Sequence, residues 1–197
     1  MKNRDYGIKN KGWLIGGVIL AACLGLGYWF FFSASPFPLL PSPNVTPSSS
    51  ITAGADTSGL TQEYRNATYR FSLRVPAGYT AQELPGAGGA GETVVLSSKN
   101  GDGIQIAISP FDEDTGQGYT LTRERILKDL PGLTITQEQP IDIGDNYRGL
   151  AFLGDNQAFG GASREAWFVF DGNLYQISTY ARLDDLLKAI FATWQFN

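Results

Sequence analysis

The sequence predicts an α+β domain, an antiparallel β-sheet flanked by helices, carried behind one N-terminal transmembrane helix. Three patterns lead there. Trp13 to Phe32 runs for 20 residues without a charge. Beyond residue 68, short runs alternate apolar and polar side chains and are punctuated by Gly, Pro, Asn and Asp, the pattern of half-buried strands joined by tight turns. The end of the chain instead places Leu183, Leu186, Leu187, Ile190, Phe191 and Trp194 at steps of three and four, one stripe of an amphipathic helix.

The uncharged run has the length of a bilayer-spanning helix, since ~1.5 Å per residue carries it across the hydrocarbon layer of roughly 30 Å. Trp13 at one end and Tyr28 with Trp29 near the other suit the two interfaces. Residues 1–12 carry Lys2, Arg4, Lys9 and Lys11 against Asp5 alone, so the positive-inside rule keeps this segment cytoplasmic and exports the chain beyond residue 32. Two cleaved alternatives compete. Ser33 and Ser35 look like a secretory cleavage region, although Pro36 comes directly after, and Leu20-Ala21-Ala22-Cys23 resembles a lipobox in which Cys23 would be lipidated. Against lipidation, Leu24 to Phe32 stays apolar, and a thiol filling a helix is the simpler role for Cys23. A pilin-like signal would need an acid where Gly17 stands.

Residues 33–59 hold Pro36, Pro38, Pro41, Pro43 and Pro47 with Ser48 to Ser50 and show no periodicity, which reads as a semi-extended linker. The folded domain is expected over 60–197, long enough for one core. Its first strand is Tyr69 to Val75, where Tyr69, Phe71, Leu73 and Val75 alternate with polar residues until Pro76. Tyr79 to Leu84 pairs back, residues 85–91 break regular structure, and Thr93 to Ser97 resumes an apolar run. Asn100-Gly101-Asp102-Gly103 is a hairpin signal, with alternating Ile104, Ile106 and Ile108 after it. Thr122 to Leu130 reads as a short helix capped by Thr122 or Thr120 and stopped by Pro131-Gly132. Strands return at Leu133 to Gln137, Ile141 to Ile143 and Tyr147 to Leu153. Ala166 to Phe170 is apolar throughout, as in a strand covered on both faces. Asp171-Gly172-Asn173 turns it into Leu174 to Tyr180, and the terminal helix packs on the sheet.

These residues carry a family resemblance. Tyr64, Asn66, Tyr69, Phe71, Leu73, Val75, Pro76, Gly78 and Tyr79 match the pattern Y-x-N-x-x-Y-x-F-x-L-x-V-P-x-G-Y, which resembles the opening of PsbP-like domains. The Trp167 to Tyr180 hairpin and the Leu183 to Phe196 helix, ending Thr193-Trp194-Gln195-Phe196, are similar to the way those domains finish. The resemblance implies an antiparallel sheet sandwiched by helices, used as a non-enzymatic accessory module that docks on other proteins, here in the layout of membrane-anchored bacterial proteins. The best-known members serve photosystem II. Some make metal or cofactor contacts through His, which this chain lacks, so no photosynthetic role is inferred and only the fold transfers.

Composition removes several chemistries. With no His in 197 residues, Ser-His-Asp and Cys-His nucleophile systems and His-ligated zinc are excluded, and the single Cys allows neither an intrachain disulfide nor C-x-x-C chemistry. Past residue 32, 11 Lys and Arg face 18 Asp and Glu, a balance near −7. Without clustered cations to displace phosphate counterions, nucleic acid is excluded as a partner. Asp112-Glu113-Asp114 with Gly116 and Gly118 makes Asp112 and Asp114 weak metal candidates, yet an EF-hand started there puts Gly116 fifth and Arg123 twelfth, so no metal and no cofactor is expected. Glu83, Glu92, Asp142, Asp145, Asp155 and Glu165 could supply paired carboxylates for hydrolysis, with spacing that sequence does not give. Gly86 to Gly91 is no P-loop, and Phe159 in the 154–163 loop is expected to pack inward rather than serve a partner. The expected function is a membrane-tethered, extracytoplasmic binding module without catalysis, engaging an envelope protein. A carboxylate hydrolase and a pilus or stalk component are the alternatives.

Overall fold

The computed structural model describes residues 55–86, 89–111, 113, 119–144 and 147–197. The segment 1–12, the anchor 13–32 with Cys23, most of the linker, and Asp112, Asp114 and Asp145 lie outside the described residues. Among the described residues no helix is long and apolar enough to cross a membrane.

The turn chemistry read from the sequence sets the hairpins. Asp171 and Gly172 both adopt positive φ, 47° and 69°, the type I′ conformation whose twist matches two antiparallel strands. They join β8 (Ser163–Phe170) to β9 (Asn173–Tyr180). At Gly101 only one residue is left-handed, and the hairpin between β4 (Glu92–Ser97) and β5 (Gly103–Pro110) closes through Ser98 N–H to Asp102 O at 2.9 Å. With β3 (Thr80–Pro85), β6 (Thr136–Ile143) and β7 (Tyr147–Gly154), these strands build a seven-stranded sheet in the order β3-β4-β5-β9-β8-β7-β6, antiparallel at every step. β8 is interior, as its apolar sequence requires.

A second sheet covers one face. β1 (Gln62–Asn66), β2 (Phe71–Val75) and the two-residue β10 (Gln195–Phe196) pair in the order β1-β2-β10. Phe71, Leu73 and Val75 of β2 enter one core cluster with Val94, Leu96, Ile104, Ile106, Ile108, Phe168 and Tyr175 of the large sheet. A helix, α2 (Asp184–Ala192), adds Leu187, Ile190 and Phe191 to it. At ~1.5 to 3 kcal/mol per buried large side chain, this layer supplies most of the stabilisation. On the opposite face α1 (Arg123–Asp129) brings Ile126 against Phe152 and Trp167, with Leu121 and Ile135 from its flanks. Thr122 caps α1, its Oγ1 accepting from Arg125 N–H at 3.3 Å.

Six expectations are corrected, the end of the terminal helix last. Tyr79 to Leu84 does not pair back on the preceding strand: β3 pairs with β4, in the other sheet from β2. The sheet is not simply flanked by helices, because β1-β2-β10 shares one face with α2. β1 is a strand that no sequence pattern announces; its mostly exposed Gln-Glu-Tyr-Arg-Asn carries no apolar alternation. The first strand of the aromatic alternation starts at Phe71, because Arg70 turns the chain with φ 51°. Leu133 to Ile135 is irregular, and β6 runs unbroken from Thr136 to Ile143 with a bulge between Thr136 and Gln139 and Gln137 at φ 49°; Pro140 is accommodated because β6 is an edge strand.

The terminal helix stops at Ala192 rather than including Trp194. Its last carbonyls are taken by partners that redirect the chain. Thr193 Oγ1 donates to Ile190 O at 2.8 Å and accepts from Arg74 N–H of β2 at 2.9 Å, while Gly144 N–H donates to Phe191 O at 3.0 Å. Phe196 then pairs with Phe71 in β10, and Trp194 enters the core from a connecting segment.

Candidate interaction face and its buried carboxyl

Register places side chains of the large sheet in cross-strand rows. On the face that α1 shares, Gln82, Val95, Gln105 and Ser178 form one row that continues to Glu165, and Leu84, Thr93, Ala107 and Gln176 form the next, continuing to Trp167. α1 and its flanks cover the Trp167 side. Over β3, β4 and β5 the face is uncovered among the described residues: Leu84, Val95 and Ala107 are half-buried and join neither core cluster. Neither row carries a charge before Glu165, on a chain that is otherwise strongly acidic. Gln82, Gln105, Gln176, Thr93 and Ser109 make no side-chain hydrogen bond among the described residues, so their donors and acceptors face outward unspent. Such a surface can hydrogen-bond a neutral polar partner.

Glu165 ends the first row, 3% exposed. Ser178 Oγ donates to its Oε2, whereas Oε1 makes no well-formed hydrogen bond. Burial pushes its carboxyl above the ordinary value of 4.5, and polar contact with Ser178, then Ser163, Trp167 and Asn156, pulls part of that back. Its neighbour Arg164 is buried on the opposite face and pairs through Nε with Asp184 Oδ1 at 2.8 Å; Lys188 Nζ holds the other oxygen of Asp184 at 2.8 Å.

The other acids named from the sequence fall into separate places. Glu83 and Glu92 are brought together at the edge facing β1. Tyr64 donates its hydroxyl to Glu83 Oε1 at 2.8 Å, and the buried Asn66 donates through Nδ2 to Tyr64 at 3.1 Å and to Glu92 Oε1. Burial first, with Glu83 and Glu92 adding to it, pushes the Tyr64 hydroxyl well above the usual phenol range, so it stays a donor. The four side chains tie the small sheet to the large one. Asp142 faces Arg148 at 3.7 Å on the exposed edge, and Asp155 accepts from Thr134 Oγ1 at 2.8 Å. No group of three or more His, Cys, Asp or Glu residues able to hold a metal ion is formed among the described residues. Phe159 packs edge-on against Tyr180 at 5.2 Å, half-buried as expected. A shallow cavity of about 260 Å³ lies where β10 stops pairing with β2, lined by Ser72, Arg74, Thr193 and Gln195 among others.

Sequence reasoning misses the uncharged face. Its signal lies in the turn-bounded alternations of β3, β4 and β5, whose residues on this face are amides, a hydroxyl and small or aliphatic side chains where solvated strands usually carry Lys and Glu.

No protein-family model matches the chain, and no curated protein does. Among solved structures, the fold is similar to the solution structure of cyanobacterial PsbP from Synechocystis sp. PCC 6803. The likeness covers 77% of this chain and 100% of that one, with a TM-score of 0.46 and 13% identity.

Proposed function

We propose that the chain is a PsbP-like accessory module, tethered to a membrane by residues 13–32, which docks an envelope protein outside the cytoplasm and performs no catalysis of its own. The observation that carries this reading is the uncharged face over β3, β4 and β5. A face that mixes unspent amides with Leu84, Val95 and Ala107 on an acidic body carries no charge of its own and holds a partner by hydrogen bonds, apolar contact and shape. Tethering supports it, because a domain on a Pro-rich linker meets partners in the same membrane at a raised local concentration. The sequence basis for orientation is the basic segment 1–12 against an acidic exported portion.

The test places a photoreactive residue at Gln105 in the full chain in living cells, with a control at the exposed Arg148 of β7. Docking gives one envelope-protein adduct from Gln105 that is lost when Gln176→Arg is added, and none from Arg148. Identical patterns from both positions, or turnover of a glycan or peptide library by the purified chain, would overturn the reading.

A further inference from the structure

Arg164 and Glu165 are adjacent in β8 and buried on opposite faces, yet only Arg164 has a counter-charge. The groups facing Glu165 are Phe152 from β7, Ser178 from β9, Ser163 and Trp167 from β8 itself, and Asn156 from the loop 155–162 that joins β7 to β8. None of these is charged. The titratable groups on the elements packed around it are engaged elsewhere. Asp155 accepts from Thr134, Tyr180 lies under the Arg182 guanidinium at 4.6 Å, and Tyr175 is on the opposite face. On α1, Arg123 pairs with Glu138 at 3.3 Å, Arg125 with Glu113 at 2.7 Å and Lys128 with Glu113 at 3.8 Å, while Glu124 is exposed. Arg148 lies toward the far end of β7 beside Asp142. An ionised Glu165 would therefore sit in the sheet with one well-formed hydroxyl bond from Ser178, weaker polar contact with Ser163, Trp167 and Asn156, and no cation, whereas its neutral form needs none.

The loop 155–162 reaches the carboxyl through Asn156, which contacts Glu165 and donates its N–H to Ser163 Oγ at 3.4 Å. Gly154, at the end of β7, stands against Glu165 with so little room that a Cβ there would lie 3.0 Å from Ser163 Oγ and 3.2 Å from Glu165 Cγ. The loop's hydrogen bonds are mostly internal: Phe159 and Gly161 N–H both donate to Asn156 O, at 3.0 and 3.2 Å, and Gly160 N–H to Gln157 O at 3.1 Å. Gly160 and Gly161, at φ 74° and 99°, form its flexible return. It is tied to the body by few contacts, namely Asn156 N–H to Ser163 Oγ at 3.4 Å, Ala181 N–H to Ala162 O at 3.3 Å, Thr134 to Asp155, and Phe159 on Tyr180. A segment bonded mainly to itself opens as a unit at far lower cost than the strands beneath it.

We propose that Glu165 and the loop 155–162 form a proton-sensitive clasp, closed over the neutral carboxyl and lifted when that carboxyl ionises. This does not depend on the docking reading. In the lifted state Glu165 meets water and titrates near 4.5, while in the closed state burial holds its proton to higher pH. Below about 4.5 closure is fully favoured. Above it, each pH unit favours opening about tenfold until the closed-state value is passed, and then the effect levels off.

The experiment is hydrogen exchange of the full chain read by mass spectrometry from pH 4.5 to 8, corrected for the intrinsic pH dependence of exchange. The wild type is expected to lose protection in the peptide spanning 155–162 by about tenfold per pH unit over the lower part of that range, with β5 and β9 still protected. Glu165→Gln, neutral at every pH, should hold the loop protected throughout. Superimposable profiles for the two chains would overturn the proposal, as would loss spread evenly over β5, β8 and β9, which is global unfolding. A carbon-detected titration of Glu165 in the wild type guards against a poorly folded variant: a midpoint above the ordinary carboxylate value supports the clasp, and one at or below it ends the argument.

Discussion

Trp194 is where sequence and structure give different geometry for the same buried ring, and its truncation tests the packing directly. The indole is 2% exposed and stacks on Phe71 at 4.6 Å with planes 16° apart, meets Phe168 edge-on at 5.6 Å, and lies 6.0 Å from Phe191. The rings around it come from β2, β8 and α2, elements held by their own ladders, so a hole left there cannot collapse. Trp194→Ala should cost about 3 to 5 kcal/mol in transfer and cavity terms. One term opposes this: the indole N–H is buried with no hydrogen-bond partner among the described residues, and removing it returns about 1 kcal/mol. A net loss of about 3 kcal/mol, at a urea slope of about 2 kcal/mol per molar, moves the unfolding midpoint down by about 1.5 M. Trp194→Phe discards the orphan N–H and keeps most of the packing, so its midpoint should fall by no more than about 0.5 M. Far-UV circular dichroism in urea reads both without relying on indole fluorescence. If Trp194→Ala shifts the midpoint by less than about 0.3 M, or Trp194→Phe costs as much as Trp194→Ala, the ring is not held as described.

Thr193→Val removes the hydroxyl that accepts from Arg74 and donates to Ile190, and should cost about 1 to 2 kcal/mol in urea melts while Thr193→Ser stays near wild type. Gly91→Ala adds a Cβ 2.0 Å from Ile108 O at a residue with φ 83°; a loss above about 2 kcal/mol is expected, with β4 and β5 losing amide protection first. Asn66→Ala strands the Tyr69 amide and the Tyr64 and Glu92 side chains, and should lower stability by about 1 to 3 kcal/mol, read as a lower urea midpoint. For Glu165→Gln the sign comes from a raised folded-state value. Wild-type stability is fully present below about 4.5 and declines as pH rises toward the folded-state value, so the variant's advantage in urea midpoint should be absent near pH 4 and grow toward pH 8.

What the sequence shows well is whatever is written in local periodicity. The β8–β9 hairpin is visible because Asp171-Gly172 satisfies two positive φ angles and the apolar run before it suits only a covered strand. β1 is invisible because it is mostly exposed and polar, and exists through pairing with β2 from Gln62↔Val75 to Asn66↔Phe71. The end of the chain misleads for a related reason. Helical spacing continues through Trp194, but tertiary bonds to Arg74 and Gly144 end the helix at Ala192, and no pattern in 183–196 records partners more than forty residues away. Glu165 likewise reads only as one of six scattered acids, and nothing singles out Arg164. Their burial depends on Asp184 for one and on a loop for the other, and neither is local.

The two buried charges in β8 bear on why the open face is neutral. Arg164 is compensated, so its position could be filled by a large apolar residue at little cost once Asp184 changed with it. Glu165 is not compensated, and an apolar side chain there would be more stable at neutral pH, so stability does not account for the carboxyl. It lies at the inner end of the row Gln82, Val95, Gln105 and Ser178, which carries no charge. Ionisation therefore places a negative charge beside a surface otherwise free of one, and a partner fitted to the neutral row would feel it. The two proposals separate cleanly under test. The clasp is read in the isolated chain by the pH dependence of one loop, and docking is read in cells by an adduct at Gln105. A clasp without an adduct leaves Glu165 as a device of the fold alone, an adduct unchanged in Glu165→Gln leaves docking blind to pH, and only an adduct whose pH dependence disappears in that variant joins the carboxyl to the face.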